Sequence, residues 1–252
     1  MLRRIVFAFA LIAVAGTAHA QINLAWRNCI TITSGTNSQL ANLIYACDGS
    51  APTPFKGVMS FISPAALGQF VGVQAVLDIQ SDSDQATLPN YWRMGLGECR
   101  EGSFIFPASL TGVGNTASCR NPWAGGNTGG GFQYTSGSVT PSRARVLFAF
   151  ARDTDVQLIN GQQYIAGVFT IDTYKDIDAG EGECVGCLEA ACLVLNQIEL
   201  YQVAGQTPPQ QDIYYLNTAA TRQEIYWQGG GYVPCFTPTR RTSWGRIKTT
   251  YR

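Results

Sequence analysis

The stretch FVGVQAVLDIQ, residues Phe70 to Gln80, decides the fold, because apolar side chains alternate along it with polar or small ones. Successive side chains of an extended strand point to opposite faces. One face of this stretch therefore carries Val71, Val73, Ala75, Leu77 and Ile79. The segment ARVLFAFAR places Ala144, Val146, Phe148 and Phe150 on one face in the same way. Both segments predict β-strands that press one face against a core.

Short apolar segments and polar turns recur along the rest of the chain. YIAGVFTIDTY and CLVLNQIELYQV are rich in β-branched and aromatic residues, and clusters of Gly, Asn, Ser and Pro separate such segments. The longest of these clusters, NPWAGGNTGGGF (121–132), is expected to be a long loop. Without a capped segment of sustained 3.6-residue period, helices should be few and short. The pattern predicts an all-β fold, an antiparallel β-sandwich or jelly-roll-like single domain stapled by disulfides.

The first twenty residues have the three parts of a secretory signal peptide. Arg3 and Arg4 form a positive start, Ile5–Ala15 is an uncharged apolar run, and AHA at 18–20 is an A-x-A cleavage signal. The run is too short to span a bilayer, which needs about 20 apolar residues. We expect export to the periplasm, the cell surface or the extracellular space. Cleavage would remove residues 1–20 and leave a secreted domain over residues 21–252.

Cleavage would also remove His19, the one histidine of the chain. The mature protein would then lack the general base of Ser-His-Asp and Cys-His sites and the imidazole ligand of many zinc and copper sites. It would keep 15 basic and 17 acidic residues, a net charge of −2, because the removed segment holds two arginines and no acid. Nucleic-acid-binding domains are markedly basic, so no nucleic-acid partner is predicted, and no membrane span is predicted either.

Eight cysteines in an exported chain predict four disulfides. Sequence neighbours separated by polar turns suggest Cys29–Cys47 and Cys99–Cys119. Gly186 in CVGC occupies the glycine position of a type II turn, whose first and fourth Cα atoms lie within about 7 Å, close enough for a disulfide. This predicts Cys184–Cys187 together with Cys192–Cys235. The alternative is Cys184–Cys192 with Cys187–Cys235.

Other interpretations of CVGC are weaker. A single C-x2-C without histidine lacks the four ligands of a structural zinc site. A redox dithiol opens a helix in a βαβ setting, whereas the strand-like LVLNQIEL follows here.

Carboxylates are the first remaining candidates for chemistry, since nucleotide-binding and nucleophile-elbow motifs are missing from the sequence. Two carboxylates about 5–10 Å apart suffice for glycoside hydrolysis. The candidates are Glu98, Glu101, Glu199 and Glu224. In DTYKDIDAGEGE, Asp176 and Asp178 alternate ahead of a glycine as in hard-cation loops. Calcium is therefore the one metal with a candidate site, although a solvated loop is the preferred interpretation and no cofactor is expected.

Aromatic rings near polar or glycine-rich neighbours are the second group of candidate functional residues. They are Tyr91-Trp92, Trp123, Tyr214-Tyr215 and Trp227. A flat exposed ring can stack on the apolar face of a sugar. Core packing is the preferred interpretation of these rings, and Trp92 and Trp123 are the predicted ligand-binding residues if a glycan is bound.

Five short motifs spread from end to end of the chain carry a family resemblance. They are INLAWRNC, YWRMGLGECR, NPWAGG, CVGCLEAACLVLNQIEL and TSWGRIKTTYR. Together they resemble a family of secreted, disulfide-containing bacterial β-rich proteins. The resemblance implies export, disulfides and a single β-rich domain, and it implies no activity, ligand or active site.

The sequence thus predicts a non-enzymatic structural or interaction protein, outside the cell or on its surface, whose partner is another copy or an extracellular glycan or protein. A carbohydrate-binding module is the alternative, and a histidine-free glycoside hydrolase is third. An exposed aromatic row would favour the second function, and two close carboxylates in a cleft the third. A long unpaired edge strand, or a free N-terminal strand QINLAW, would favour assembly by strand addition.

Overall fold

The chain folds into β-strands joined by turns, with one short α-helix and one 3-10 turn in the described part. The computed structural model describes residues 21–29, 38–49, 54–81, 86–110, 119–138, 140–177, 182–206, 211–216 and 223–229. The strands are β1 (Gln21–Trp26), β2 (Asn42–Leu43), β3 (Phe55–Ile62), β4 (Leu67–Ser81), β5 (Phe104–Ile105), β6 (Thr128–Ser136), β7 (Arg143–Leu158), β8 (Gln163–Ile171), β9 (Ala191–Gln202), β10 (Ile213–Leu216) and β11 (Glu224–Trp227). The helix is α1 (Ser38–Ala41), and the 3-10 turn is Asn90–Trp92.

These strands form two sheets that pack together. A four-stranded sheet has the order β1-β3-β8-β5, and a seven-stranded sheet has the order β2-β11-β9-β4-β7-β6 with β10 also beside β9. The strand pairs are antiparallel except for β2 with β11. The prediction of an antiparallel β-sandwich is confirmed. Within the described ranges, no helix is both long enough and apolar enough to cross a membrane.

The two segments that predicted the fold are neighbouring strands of the seven-stranded sheet. Ala75 of β4 lies opposite Phe148 of β7, and Leu77 lies opposite Val146. The alternating side chains of both strands are buried from Val73 to Ile79 and from Ala144 to Phe150, whereas Val71 is half-buried. Matching apolar alternation on adjacent strands gives one continuous inner face, and that face forms one side of the hydrophobic core.

Aromatic rings from both sheets meet in the core. Ring centroids lie 6.4 Å apart for Trp26 and Trp227, 6.3 Å for Phe61 and Phe70, and 6.4 Å for Phe148 and Phe169. Each pair joins one strand of the four-stranded sheet to one of the seven-stranded sheet. Burying such side chains contributes roughly 1.5–3 kcal/mol each, so these contacts hold the layers together.

The N-terminal strand does not meet the condition that would favour strand addition. QINLAW forms β1 and pairs along its whole length with β3, from Gln21 opposite Ile62 to Trp26 opposite Gly57. The predicted loop at 121–132 ends in strand, because β6 starts at Thr128 and pairs with β7. Pairing with a neighbour has here overridden the low strand propensity of glycine. The predicted signal peptide at 1–20 lies outside the described residues.

The described disulfides connect segments that are distant in sequence. They are Cys29–Cys119, Cys47–Cys187 and Cys99–Cys184, with Cα separations of 6.0, 5.8 and 5.9 Å. The predicted pairs Cys29–Cys47, Cys99–Cys119 and Cys184–Cys187 are therefore wrong, and so is the alternative of Cys184–Cys192 with Cys187–Cys235. Sheet packing brings remote turns together, so nearness along the chain did not decide the partners. Cys192 is also disulfide-bonded, but Cys235 lies outside the described residues, so Cys192–Cys235 stays a prediction.

The CVGC turn shows why the local pair fails. Gly186 has a φ of +109°, which confirms a backbone that requires glycine. The turn itself lies two residues further along, where the Glu189 amide donates to the Gly186 carbonyl at 3.2 Å. Cys184 and Cys187 are therefore not its two ends, and each reaches a different segment of the chain.

A buried arginine ties loops together near one of these disulfides. Arg100 is fully buried beside Cys99, and its guanidinium lies 3.9 Å from the centroid of the Tyr91 ring. Its Nε donates to the Tyr174 carbonyl at 2.8 Å and its Nη1 to the Tyr91 carbonyl at 3.2 Å. Its Nη2 donates to the Asp172 carbonyl. One side chain thus satisfies three main-chain acceptors from two separate segments.

Candidate binding face

The outer face of the seven-stranded sheet, turned away from the other sheet, has a buried half and an exposed half. In the buried half, Asp78 and Arg145 form a two-point ion pair, with Nε–Oδ1 at 2.6 Å and Nη2–Oδ2 at 2.7 Å. Neighbouring Gln80 and Val194 are buried as well. This half is therefore covered, which leaves the other end of the face as the candidate for binding.

The exposed half consists of two adjacent rows of residues across five strands. In one row Glu199 lies opposite Tyr215 on one side and Gln74 on the other, and the row continues through Ala149 to Gly131. In the next row Tyr201 lies opposite Ile213 on one side and Gly72 on the other, and the row continues through Ala151 to Gly129. We call the exposed and half-buried members of these rows the platform: Tyr201, Tyr215, Ile213, Glu199, Gln74, Ala149, Ala151, Gly129 and Gly131. From β10 to β6 it spans four strand spacings, about 19 Å.

Two tyrosines and a carboxylate form one side of the platform. Tyr215 is 62% exposed, which is unusual for a large ring in a strand. The half-buried Tyr201 donates its hydroxyl to Glu199 Oε2 at 2.6 Å, and the Gln197 amide donates to Oε1. Burial and the hydrogen bond to Glu199 raise the pKa of Tyr201 to about 12. The hydroxyl therefore keeps its proton at neutral pH, and the Glu199 carboxylate is held in place as an acceptor.

Small residues form the other side. Ala149, Ala151, Gly129 and Gly131 are all exposed. A Cβ added at Gly129 or Gly131 would meet no atom within 4 Å, and neither residue has a positive φ. Neither packing nor backbone conformation requires glycine at these two positions, although glycine weakens a strand interior. Such glycines often mark a place where another molecule approaches the backbone closely.

Glycines at nearby positions are required by close packing within the protein. A Cβ at Gly130 would lie 2.2 Å from the Ala149 carbonyl oxygen, and one at Gly72 would lie 2.9 Å from the Phe150 carbonyl oxygen. Gly130 and Gly72 are thus explained by the fold. Gly129 and Gly131 are not, and both lie on the exposed face.

The platform has the chemistry of a recognition surface for a flat, hydroxyl-bearing ligand. A tyrosine ring offers a rigid amphipathic contact with little conformational entropy to lose. The Glu199 carboxylate and the Gln74 amide can accept or donate hydrogen bonds to hydroxyl groups. The glycine and alanine strip lets a flat ligand lie against the sheet. The platform residues include one acid and no basic side chain, so they do not favour an anionic ligand.

The two tryptophans predicted to stack on a ligand do not reach the surface. Trp92 and Trp123 are both fully buried. Trp92 packs against Trp227 with centroids 5.5 Å apart, and Trp123 donates its indole N–H to the Ile165 carbonyl at 3.0 Å. The prediction that either offers an exposed ring is wrong, because the large indoles fill the space between the sheets.

Two of the candidate carboxylates, Glu98 and Glu101, lie at the two ends of one turn, in which the Glu101 amide donates to the Glu98 carbonyl at 3.2 Å. Glu98 accepts hydrogen bonds from the Gly95 amide at 2.7 Å and the Ser136 hydroxyl at 2.7 Å, and Glu101 accepts one from the Gly97 amide at 2.9 Å. These two acids bind turn amides of their own loop. Glu224 accepts the Tyr226 hydroxyl at 2.6 Å on β11.

Glu199 and Glu224 share the outer face but lie far apart. Glu224 is opposite Val194, five residues before Glu199 on β9. At about 3.3 Å per residue the separation is roughly 16 Å, beyond the 5–10 Å that glycoside hydrolysis uses.

The candidate calcium loop is only partly described. Asp176 is buried and accepts the Tyr45 hydroxyl at 2.9 Å through Oδ2. Asp178 lies outside the described residues, so the calcium site stays a prediction. Among the residues that the structure places, no group of three or more His, Cys, Asp or Glu side chains is arranged to hold a metal ion.

Sequence reasoning found part of this face and missed the rest. Tyr214-Tyr215 and Glu199 were among its candidates, but nothing in the sequence set them opposite each other. The one signal for the glycine strip was GGG itself, which looked like a loop.

Fold and site together define a class: a disulfide-linked antiparallel β-sandwich with a tyrosine, carboxylate and glycine platform on the outer face of its larger sheet. Comparison with protein-family models, with curated proteins and with solved structures found no match for this chain.

Proposed function

We propose that the protein is a non-enzymatic carbohydrate-binding module that holds a glycan on the platform. The observation that carries this proposal is the exposed Tyr215 ring beside the Glu199–Tyr201 pair at one end of the platform, with two glycines that the fold itself does not need at the other end. An apolar sugar face stacks on a ring, while its hydroxyls find carboxylate and amide partners at the edge. Two observations support binding rather than hydrolysis: Glu98 and Glu101 are engaged by turn amides of their own loop, and Glu199 and Glu224 lie roughly 16 Å apart.

A protein partner is the competing occupant, since tyrosine is enriched in protein interfaces as well. A standard protein interface covers about 800 Å² on each partner and has buried apolar anchors at its centre. The platform is a strip about 19 Å long and two residues wide, and its exposed ring is amphipathic. These dimensions favour a chain-like ligand that lies along the strip.

The first prediction concerns Tyr215. Tyr215→Ala removes an exposed ring without touching the core, and we expect glycan affinity to fall about 10- to 100-fold, since a buried ring is worth about 1.5–3 kcal/mol. A glycan array should first identify a ligand, and calorimetry with the strongest soluble polysaccharide should then measure the loss.

The matched control for that experiment is Tyr174→Ala. Tyr174 is 55% exposed but lies away from the platform, where its carbonyl accepts from Arg100. Its replacement should leave affinity unchanged. Equal losses in both variants, or none in Tyr215→Ala, would contradict the site. Shortening of the bound polysaccharide by the purified protein would contradict the non-enzymatic function.

We further propose that the module works outside the cytosol after removal of residues 1–20. Three described disulfides support this setting, because such bonds persist in oxidising compartments. Intact-mass measurement of the exported protein should give a chain that starts at Gln21. Thiol labelling of the unfolded, unreduced protein should add no mass if Cys192–Cys235 also forms. Retention of Met1 or labelling of two cysteines would contradict these expectations.

A further inference from the structure

We infer that two copies of this chain pair through the open edge of β6, in antiparallel orientation, to form one continuous sheet. This inference does not depend on glycan binding. β6 ends the seven-stranded sheet, and no described strand lies beyond it. Its register with β7 runs without a shift from Thr128 opposite Arg152 to Ser136 opposite Ala144.

The hydrogen-bond alternation shows which residues of β6 face this edge. The Gly137 amide donates to the Arg143 carbonyl and the Asp153 amide to the Asn127 carbonyl, at the two ends of the β6–β7 ladder. Residues in hydrogen-bonded register with β7 are therefore the odd-numbered ones. The even-numbered residues, including Gly130 and Phe132, direct their N–H and C=O groups to the open side.

This edge lacks the features that normally prevent pairing. Native edge strands are kept apart by charged side chains, proline, bulges or very short length. The nine residues TGGGFQYTS contain no charge and no proline, and their pairing with β7 has no bulge. A second copy would bring no like charge opposite any residue of this strand. Two β6 strands can therefore pair without charge repulsion.

The neighbouring loops set the register of the pairing. A Cβ at Gly95 would lie 3.7 Å from the Tyr134 carbonyl oxygen, so the loop of Gly95 reaches the edge there. A two-fold axis at Gly130 sets Thr128 opposite the partner's Phe132, and a pairing limited to these five residues ends before Tyr134. At the other end Ser109 and Leu110 bond to the Thr128 side chain and not to its edge-facing main chain. Thr128, Gly130 and Phe132 would then bond with their counterparts, and closed two-fold pairing leaves no further edge for growth.

An exposed aromatic ring at the same edge supports pairing with a second copy of the chain. Phe132 is 38% exposed although it is on the core side of β6, where it packs against Phe104 with centroids 5.5 Å apart. The ring is at the open side of the aromatic core, and the partner strand would cover it. Because a two-fold axis between antiparallel strands is perpendicular to the sheet, both platforms would face the same side. Together they would span about 43 Å from β10 to the partner's β10.

The test uses the mature protein in sedimentation and amide exchange over a concentration series up to about 0.5 mM, since small interfaces associate weakly. We expect a monomer–dimer equilibrium, with the Gly130 and Phe132 amides gaining at least tenfold protection as the dimer forms. The Gly129 and Gly131 amides, which bond to β7, should be protected at every concentration. Phe132→Lys should abolish the dimer, whereas Gln133→Lys, which points to the outer face, should retain it.

Each outcome decides the inference. A monomer at the highest concentration would overturn it, as would a dimer in which the Gly130 and Phe132 amides still exchange freely. Dimer loss in Gln133→Lys but not in Phe132→Lys would assign the contact to the outer face and overturn edge pairing. The amide pattern of the unmodified protein keeps the test valid even if Phe132→Lys disturbs the core.

Discussion

Gly131→Val should abolish glycan binding while leaving the fold at least as stable as before. The added Cβ meets nothing within 4 Å, and the backbone there is ordinary strand. Valine has a higher strand propensity than glycine and restricts the unfolded chain more, so the free energy of unfolding should stay level or rise by up to about 1 kcal/mol. The new side chain would stand on the platform and hold a flat ligand away from the sheet.

Three consecutive glycines provide the controls for this prediction. Gly129→Val should act like Gly131→Val, because it also faces open space on the platform. Gly130→Val should instead destabilise or unfold the protein, because its Cβ would lie 2.2 Å from the Ala149 oxygen and 2.4 Å from the Phe150 ring. Calorimetry against the selected polysaccharide and thermal melts of all three variants would test this alternation. Full affinity in Gly131→Val would remove the platform as the binding site.

The sheet pattern could be predicted because it depends on local alternation. The apolar alternation within Val73 to Ile79 and within Ala144 to Phe150 is enough to predict which side chains are buried, and the structure buries them as expected. The disulfides could not be predicted in the same way, because the pairing of Cys47 with Cys187 depends on where two remote turns meet after the sheets pack. Residue type and spacing do not directly show which turns come into contact after the sheets pack.

The candidate site was hard to predict for a related reason. Tyr215 and Glu199 become neighbours only through the register of β10 with β9. The exposure of the tryptophans could not be predicted, because it depends on whether a ring points into the space between the sheets or to the outer face. The largest rings fill the core. Tyrosine keeps a polar hydroxyl at the end of its ring, which lets Tyr201 and Tyr215 remain at the surface with hydrogen-bonding capacity.

Arg100 stabilises loops that lie away from the platform. It is fully buried and donates to the carbonyls of Tyr91, Asp172 and Tyr174. Arg100→Met keeps much of the volume but leaves three main-chain acceptors without their donor, of which the Tyr91 carbonyl is buried and the Asp172 and Tyr174 carbonyls are partly buried. Each unsatisfied buried acceptor costs about 1–3 kcal/mol, so we expect the free energy of unfolding to fall by about 3–5 kcal/mol. For a chain of this size that corresponds to a melting temperature lower by about 10 °C.

Arg93→Met is the matched control, because Arg93 lies in the same loop and bonds to Glu98 at 3.4 Å with its side chain 48% exposed. Exposed ion pairs contribute about 0–1 kcal/mol, so this variant should melt close to the unmodified protein. Thermal or denaturant unfolding of both variants measures the contrast. Glycan affinity should be unchanged in folded Arg100→Met, because Arg100 contacts the loops and not the platform. A loss of stability below about 1 kcal/mol would show that water or other donors satisfy the three carbonyls, and would reduce Arg100 to a packing role.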